Sequence, residues 1–397
     1  MIALFLSPVY LLVNIYILRW LMRWMGACHH HFKKKWVRTL IITMYMLVSF
    51  SLVIAFVCPP GKLQRILKFI SNYWLGAMIY IVLVVIIVDV IRLILKRSRR
   101  VDQAKLASRR TFVLNGTFCI ILIFSVCLYG ALNARHIRVT NYDVAIDKKA
   151  GDLTSLNIVL AADLHLGYSV GTAQMKQMVQ KINAQNPDLV VIAGDIFDNE
   201  YEALDDPEEL VRILAGIQST YGTYACYGNH DIQEPILAGF TFHSKGKKVS
   251  DPRMDELLAA ANIRLLRDET VEIADAFYLH GRPDYERPGR GITKRMSAAE
   301  ITSSLDPEKP IFVIDHEPRE LSELADAGVD LDLCGHTHDG QLFPGNIVTK
   351  FFWENSCGYL KKGDMHNIVT SGVGVYGPNM RVATKSEICT IKVHFNS

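Results

Sequence analysis

A helical membrane block followed by an α/β domain is the fold class that this 397-residue sequence predicts, and three observations predict it. Half of the residues are hydrophobic (50%) and the mean hydropathy is +0.17, high for a water-soluble chain. The excess is concentrated in the first third, as long uncharged runs. From position 157 onward the pattern changes to short apolar runs that end in polar loops and alternate with amphipathic stretches, which is α/β punctuation.

Four runs, 2–22, 36–57, 73–95 and 111–132, are long enough to cross a hydrocarbon core of roughly 30 Å as helices. No basic segment precedes Ile2, and Arg19 and Arg23 follow the apolar run, so the first reads as a retained span and not as a cleaved signal. Basic residues crowd the connection after the first span (Arg23, Lys33, Lys34, Lys35) and that after the third (Lys96, Arg97, Arg99, Arg100, Lys105, Arg109, Arg110). The connection after the second has only Lys62, Arg65 and Lys68. Lys and Arg bias short loops toward the cytoplasm, which places everything after the fourth span outside. Arg135, Arg138, Lys148 and Lys149 oppose that assignment, but long following domains are translocated largely regardless of charge. The expectation is a multi-pass plasma-membrane protein with an extracytoplasmic C-terminal domain. Its expected parts are a membrane domain over 1–133, a linker over 134–155 and a globular domain over 156–397.

Within the third span, Asp89 and Arg92 share a helical face, which predicts mutual pairing with Arg92 snorkelling to the interface. His29, His30 and His31 read as an interfacial polar cluster. The net charge of +3 is too small and too dispersed for a nucleic-acid footprint, so no nucleic-acid partner is expected. The eight cysteines form no C-x-x-C pair, and Cys226 and Cys334 read as small buried hydrophobes at strand ends.

In the second block, the apolar run 157–162 leads into Asp163-Leu164-His165, and a helix is expected over 171–185. The run 188–193 leads into Gly194-Asp195-Ile196-Phe197-Asp198-Asn199, and 221–227 into Gly228-Asn229-His230-Asp231. The run 310–314 precedes Asp315-His316, and 329–334 precedes Gly335-His336-Thr337-His338. If these strands share a sheet, their carboxyl ends open on one edge, where α/β proteins place ligands. Mixed Asp, Asn and His donors without cysteine suit divalent transition metals and argue against a structural zinc cage. The glycine before Asp195, Asn229 and His336 is expected to supply a backbone conformation closed to other residues.

At these residues the chain resembles the calcineurin-like metallophosphoesterase superfamily, in particular its membrane-anchored, mostly bacterial, outward-facing branch. The order D-x-H, G-D-x-x-D/N, G-N-H-D/E, a lone His and G-H-x-H is present in full, and the resemblance covers about 156–393. Gln341, Pro344, Ser371 to Gly374 and Arg381 are also similar to the branch, whereas Asp339 stands where it usually has glycine. The resemblance implies a two-sheet α/β sandwich flanked by helices and holding two divalent metal ions (Mn, Fe or Zn). By position, it implies Asp163, His165, Asp195 and His338 around one ion and Asp195, Asn229, His316 and His336 around the other. The implied reaction is attack on a phosphate ester by a hydroxide held between the ions, since metal binding can lower a water pKa to roughly 7. His230 is the implied proton donor, with Asp231 orienting and charging its ring, and Asp198 standing behind the ligands.

A membrane anchor raises the local concentration of lipid-linked phosphates, so the expected substrate is a phosphate ester attached to lipid, with soluble esters such as nucleotides as the alternative. Oligomeric state is left open. His280 and His366 read as structural, and the basic insertion around His243, with Lys245, Lys247 and Lys248, as a solvated loop. The rival readings are a membrane sensor or transporter with a non-catalytic metal domain, and a protein phosphatase. Lost ligands late in the motif set would favour the former, and none is lost. The expected outward orientation argues against the latter.

Overall fold

The computed structural model describes residues 2–59, 61–232, 236–237, 240–241, 250–288, 292 and 294–396, without the side chains of 2–6, 236–237 and 240–241. The insertion around His243 lies outside the described residues. Contacts divide the chain into two compact units. One is Met1–Leu132 with Ile236–Phe242 and Gly377–Met380; the other is Asn133–Pro235, His243–Tyr376 and Arg381–Ser397.

The first stretch of chain forms α1 (Ile2–Cys28), α2 (Lys35–Val57), α3 (Lys62–Arg97), α4 (Gln103–Leu106) and α5 (Arg109–Ala134). Helices α2, α3 and α5 are long and apolar enough to cross a membrane, with mean hydropathies of 2.5, 2.9 and 2.3. Their exposed faces carry Leu40, Ile54, Ile87 and Leu128, as lipid-facing surfaces do. These three helices contain the second, third and fourth expected spans. The first expected span is a single 27-residue helix, α1, which is not among the three. Polar groups between helices find partners: Trp74 Nε1 donates to the Tyr10 hydroxyl at 3.0 Å and the Tyr45 hydroxyl to Asn14 Oδ1 at 2.9 Å. Asp89, expected to pair with Arg92, accepts from the Tyr16 hydroxyl of α1 at 3.1 Å, a bond between helices that spacing along one helix does not reveal.

The second unit holds β1 (Ile137–Ile146), β2 (Ser155–Ala161), α6 (Thr172–Asn183), β3 (Leu189–Ala193), α7 (Pro207–Leu214) and β4 (Thr223–Cys226). After a separate two-residue ladder of β5 (Ile236–Leu237) and β6 (Phe240–Thr241), which belongs to the first unit, come α8 (Pro252–Ala260), β7 (Ile263–Leu265), β8 (Glu269–Ile273) and β9 (Phe277–Gly281). The chain continues through α9 (Ala298–Thr302), β10 (Ile311–Ile314), α10 (Leu321–Asp326), β11 (Leu331–Cys334), α11 (Gly345–Val348), β12 (Gly358–Lys362), β13 (Met365–Val369) and β14 (Ser386–Phe395).

Two six-stranded sheets result, ordered β1-β14-β2-β3-β4-β7 and β12-β13-β11-β10-β9-β8. Strands β2, β3, β4 and β7 run parallel in one, and β13, β11, β10 and β9 in the other. Such strands are covered on both faces and need continuous apolar sequence; every residue of β3 (LVVIA) is buried. The core between the sheets joins Ile158, Leu160 and Val191 to Phe277, Leu279, Phe312 and Leu333. Met175, Met178 and Ile182 of α6, Leu210 of α7 and Met254 of α8 cover the outer face of the first sheet. Ala298 of α9 and Leu321 and Leu324 of α10 cover that of the second, completing the expected helix-flanked sandwich.

The expected linker over 134–155 needs correction. Residues 137–146 form β1, in parallel register with β14 from Ile137↔Ser386 to Ile146↔Phe395. Its burial changes sides along its length, with Ile137 in the core under α6 and Val144 and Ile146 in the core between the sheets, and the polar residues between them read as linker in isolation.

Candidate metal centre

The parallel strands β2, β3, β4, β10 and β11 deliver their polar termini to one region. Around Asp195 Oδ2, His316 Nε2 stands at 3.2 Å and His165 Nε2 at 3.7 Å. On one side His165 Nε2 and His338 Nε2 approach to 3.0 Å, with Asp163 Oδ1 3.5 Å from the latter. On the other, Asn229 Oδ1 lies 3.1 Å from His316 Nε2 and 3.0 Å from His336 Nδ1, and those two nitrogens are 3.1 Å apart. All seven residues implied as ligands are therefore brought together, in two groups that share Asp195. A metal bond of about 2.0–2.2 Å sets donor–donor edges of roughly 3.0–3.5 Å, so the donors are spaced as a divalent ion requires. His316 supplies a further sign of fit. Its Nδ1 donates to the Ala193 carbonyl at 2.9 Å, which turns Nε2 toward the other donors.

The local backbone explains how each donor is aimed. Five of the seven residues, Asp163, His165, Asp195, His336 and His338, have φ between 46° and 73°. A left-handed non-glycine residue costs on the order of 1 kcal/mol, and such strain gathers where surrounding structure dictates a functional geometry. Asp339 also lies at φ 51°, which explains both the usual glycine there and the tolerance for aspartate. The glycines differ from expectation. Only Gly194 takes the left-handed conformation, at φ 75°. Gly228 is required by space instead: a Cβ there would lie 2.3 Å from Asp195 Oδ1.

Further bonds hold the loops against one another. The His230 N–H donates to Asp195 Oδ1 at 2.7 Å, and the His336 N–H reaches both Asp163 oxygens at 3.1 Å. Val373 and Gly374 donate to the carbonyls of Ala162 and Asp163 at 2.9 and 2.8 Å. The wholly buried Arg381 guanidinium donates to the carbonyls of Ser371 at 2.5 Å, Gly374 at 2.8 Å and His338 at 3.2 Å. One cation thus ties the loop that carries His338 to the 371–374 loop, which in turn holds the Asp163 backbone. Gln341 exchanges two bonds with the backbone of Tyr376, at 2.9 and 2.8 Å.

The charges of the site follow from burial and mutual proximity. Burial raises Asp163 to about 6. Burial works against ionisation of Asp195 as well, but His316 and His230 outweigh it and hold this carboxyl well below the usual range. Burial opposes a cation on His316, yet Asp195 drives its pKa well above the usual histidine value. Burial, then His316, keeps His336 neutral, and burial, then His165, does the same for His338. Concentrated carboxylate therefore draws positive charge into the site, a requirement that divalent ions meet.

His230 lies at the edge of this cluster, its ring centroid 5.0 Å from that of His165 and 4.8 Å from that of Tyr376. The expected role of Asp231 needs correction. Its oxygens accept the N–H groups of Phe197 at 2.8 Å and Gly228 at 2.7 Å, so it braces the Asp195 and Asn229 loops. Burial, then Asp195, raises its carboxyl to about 8. The ring is held by Asn199, whose Oδ1 accepts from His230 Nδ1 at 2.6 Å and whose Nδ2 donates to the Ile232 carbonyl at 2.6 Å. Asn199 closes the Gly194–Asn199 motif, and its proximity to His230 comes from the fold, not from its spacing. Asp198 Oδ1 stands 3.8 Å from His165 Nδ1 and 3.6 Å from His230 Nδ1, so these three residues form a further group with donor atoms close enough to hold a metal. His280 is buried against Thr270 at 2.8 Å and His366 against Tyr359 at 2.9 Å, both among strands and away from the donors.

Residues 156–340 match the family described as calcineurin-like phosphoesterase. A Danio rerio protein named as a transmembrane protein with metallophosphoesterase domain is 30% identical over an alignment of 314 residues that covers 75% of this chain. The chain spans 66% of that relative, just under two thirds of its length. An uncharacterized metallophosphoesterase of Campylobacter jejuni is 26% identical over 367 residues, covering 89% of this chain and 91% of that one. A UDP-2,3-diacylglucosamine pyrophosphatase of Chlamydia trachomatis is 25% identical over 239 residues, covering 52% of this chain and 70% of the other. Residues 156–340 of the chain are a calcineurin-like metallophosphoesterase domain, preceded by helices long and apolar enough to cross a membrane.

Proposed function

We propose that the protein is a membrane-anchored phosphoester hydrolase that uses two divalent ions (Mn, Fe or Zn) and acts on a lipid-linked phosphate ester. The observation that carries this reading is the shared position of Asp195, whose Oδ2 lies within 3.7 Å of His165 Nε2 and 3.2 Å of His316 Nε2. A carboxylate with two oxygens is suited to bridge two ions. Asp163, His165 and His338 would complete one ligand set, and Asn229, His316 and His336 the other. Bound there, the ions supply a nucleophile at neutral pH and neutralise charge on the phosphoryl oxygens.

The remaining chemistry belongs to His230. With Nδ1 committed to Asn199 Oδ1 at 2.6 Å, the ring presents Nε2. Burial lowers its pKa to about 4, so the ring is neutral until an incoming anionic phosphate favours protonation. It then donates from Nε2 to the leaving-group oxygen. Asn199 acts as a positioning residue. The membrane domain over 1–133 would keep the phosphoesterase domain beside lipid, and the basic connections after the first and third spans favour an extracytoplasmic domain at the plasma membrane. A lipid-linked ester is supported by those helices and by the diacylated substrate in the Chlamydia trachomatis relative's name.

The test is a hydrolysis screen of the detergent-purified chain, with and without manganese, on aryl phosphomonoesters, aryl phosphodiesters and phospholipids. Manganese-dependent release of phosphate or alcohol from at least one class is expected. Metal binding with no turnover of any class would leave a binding protein instead.

A further inference from the structure

The connection between the last histidine motif and β12 has a surface unlike the rest of the second unit. Among the described residues of that unit, seven large hydrophobic side chains are exposed, and five fall within ten positions: Phe343 (38%), Ile347 (49%), Val348 (47%), Phe351 (82%) and Phe352 (78%). Single exposed apolar residues are ordinary; a run of them is not. The backbone turns helically here, as α11 and a 3-10 turn over Thr349–Phe351, so 347, 348, 351 and 352 share one face. Exposed Lys350 stands among them. The base is rigid: the Phe343 N–H donates to the Val382 carbonyl at 3.0 Å, beside a bridge between Leu342 and Val382.

We infer that this segment is a membrane-contacting surface, whose aromatic and aliphatic face enters the acyl-chain boundary of a lipid bilayer while Lys350 meets anionic head groups. The inference rests on the phosphoesterase reading given above and deepens it. Three arguments select lipid as the occupant. Helices α2, α3 and α5, of membrane-crossing length and apolarity, tether the segment to a bilayer at high effective concentration. Phenylalanines and aliphatics on one face with a lysine beside them are the composition of interfacial segments, in which a lysine is drawn to an anionic surface. The segment also leads directly to the site. Trp353, its next residue, lies with its ring 5.1 Å from that of His336, under the Arg319 guanidinium at 5.0 Å. An ester whose acyl chains stay in the bilayer would thus meet the site without leaving lipid entirely.

The experiment places the photoreactive residue benzoylphenylalanine at Phe351, at Phe352 or, as a control, at exposed Glu308. The full chain is reconstituted in nanodiscs of phosphatidylethanolamine and phosphatidylglycerol, irradiated and read by mass spectrometry. Lipid adducts at 351 and 352 at least tenfold above those at 308 are expected. Adducts at 351 and 352 to protein only, no adducts there, or equal lipid labelling at all three positions would overturn the inference. Crosslinking needs no turnover, so this result stands apart from whether the protein hydrolyses phosphate. As a second readout, Phe351→Ser combined with Phe352→Ser should leave hydrolysis of a soluble aryl phosphate unchanged. It should lower kcat/KM for a nanodisc-borne phospholipid by about tenfold, and an equal effect on both substrates would contradict the proposal.

Discussion

Asn229 and His230 are sequence neighbours with different tasks in the proposed mechanism, and their variants should fail differently. The His230 ring is tied to Asn199 at 2.6 Å through Nδ1, which leaves Nε2 for the leaving group in the proposed mechanism. His230→Ala should keep the metals yet lose turnover by on the order of 10² to 10⁴, with a smaller loss for aryl phosphates whose phenol needs no protonation. Asn199→Ala should reproduce a milder version of the same leaving-group dependence, and the double variant should be little worse than His230→Ala alone. Asn229→Ala should weaken metal binding and recover with excess manganese. Rates across a leaving-group series, measured beside metal content, check all four variants. A uniform defect in His230→Ala would remove its role as donor. At this scale the sequence is informative about the donors, because each follows directly on an apolar strand. It is silent on Asn199 and misleading on Asp231, because which side chain supports a ring depends on how two loops cross.

Elements carry consequences of their own. Strand β11 alternates Leu331 and Leu333 into the core between the sheets and leaves Asp332 fully buried, with Asn367 Nδ2 of β13 donating to its Oδ2 at 2.9 Å. Burial, then Asp315, raises this carboxyl to about 7. The folded chain therefore holds a proton that the unfolded chain has released. That contribution to stability is complete below the unfolded pKa near 4 and is lost as pH rises toward 7, at up to about 1.4 kcal/mol per pH unit. Asp332→Asn should remove the loss, so its melting temperature relative to the parent should rise between pH 5 and pH 8. Thermal melts at both values check this, and a difference that does not change with pH would contradict it. Elements also show where sequence reading ends. The buried parallel strands are legible because they lie in continuous apolar runs such as LVVIA. Strand β1 is not, because its partner β14 lies about 250 positions away and its apolar residues are split between two faces with polar residues among them. The apolar segment 343–352 is too short to read as anything but interior until its exposure is seen.

At the scale of the whole molecule, topology and metal binding make separate claims. With other cysteines removed, a membrane-impermeant thiol reagent on intact cells should label Lys149→Cys and spare Arg99→Cys; the opposite pattern would place the phosphoesterase domain in the cytoplasm. The candidate metal centre draws residues from both sheets. Asp163, His165, Asp195 and Asn229 follow strands of one, and His316, His336 and His338 follow strands of the other, so bound ions would tie the two halves of the sandwich together. Asp195 is the residue on which both ions depend in this account. The most direct test is elemental analysis of the purified chain beside Asp195→Asn. The account predicts close to two divalent ions per chain in the parent and a loss from both sites in the variant, leaving fewer than one. A full complement of metal in Asp195→Asn would contradict it.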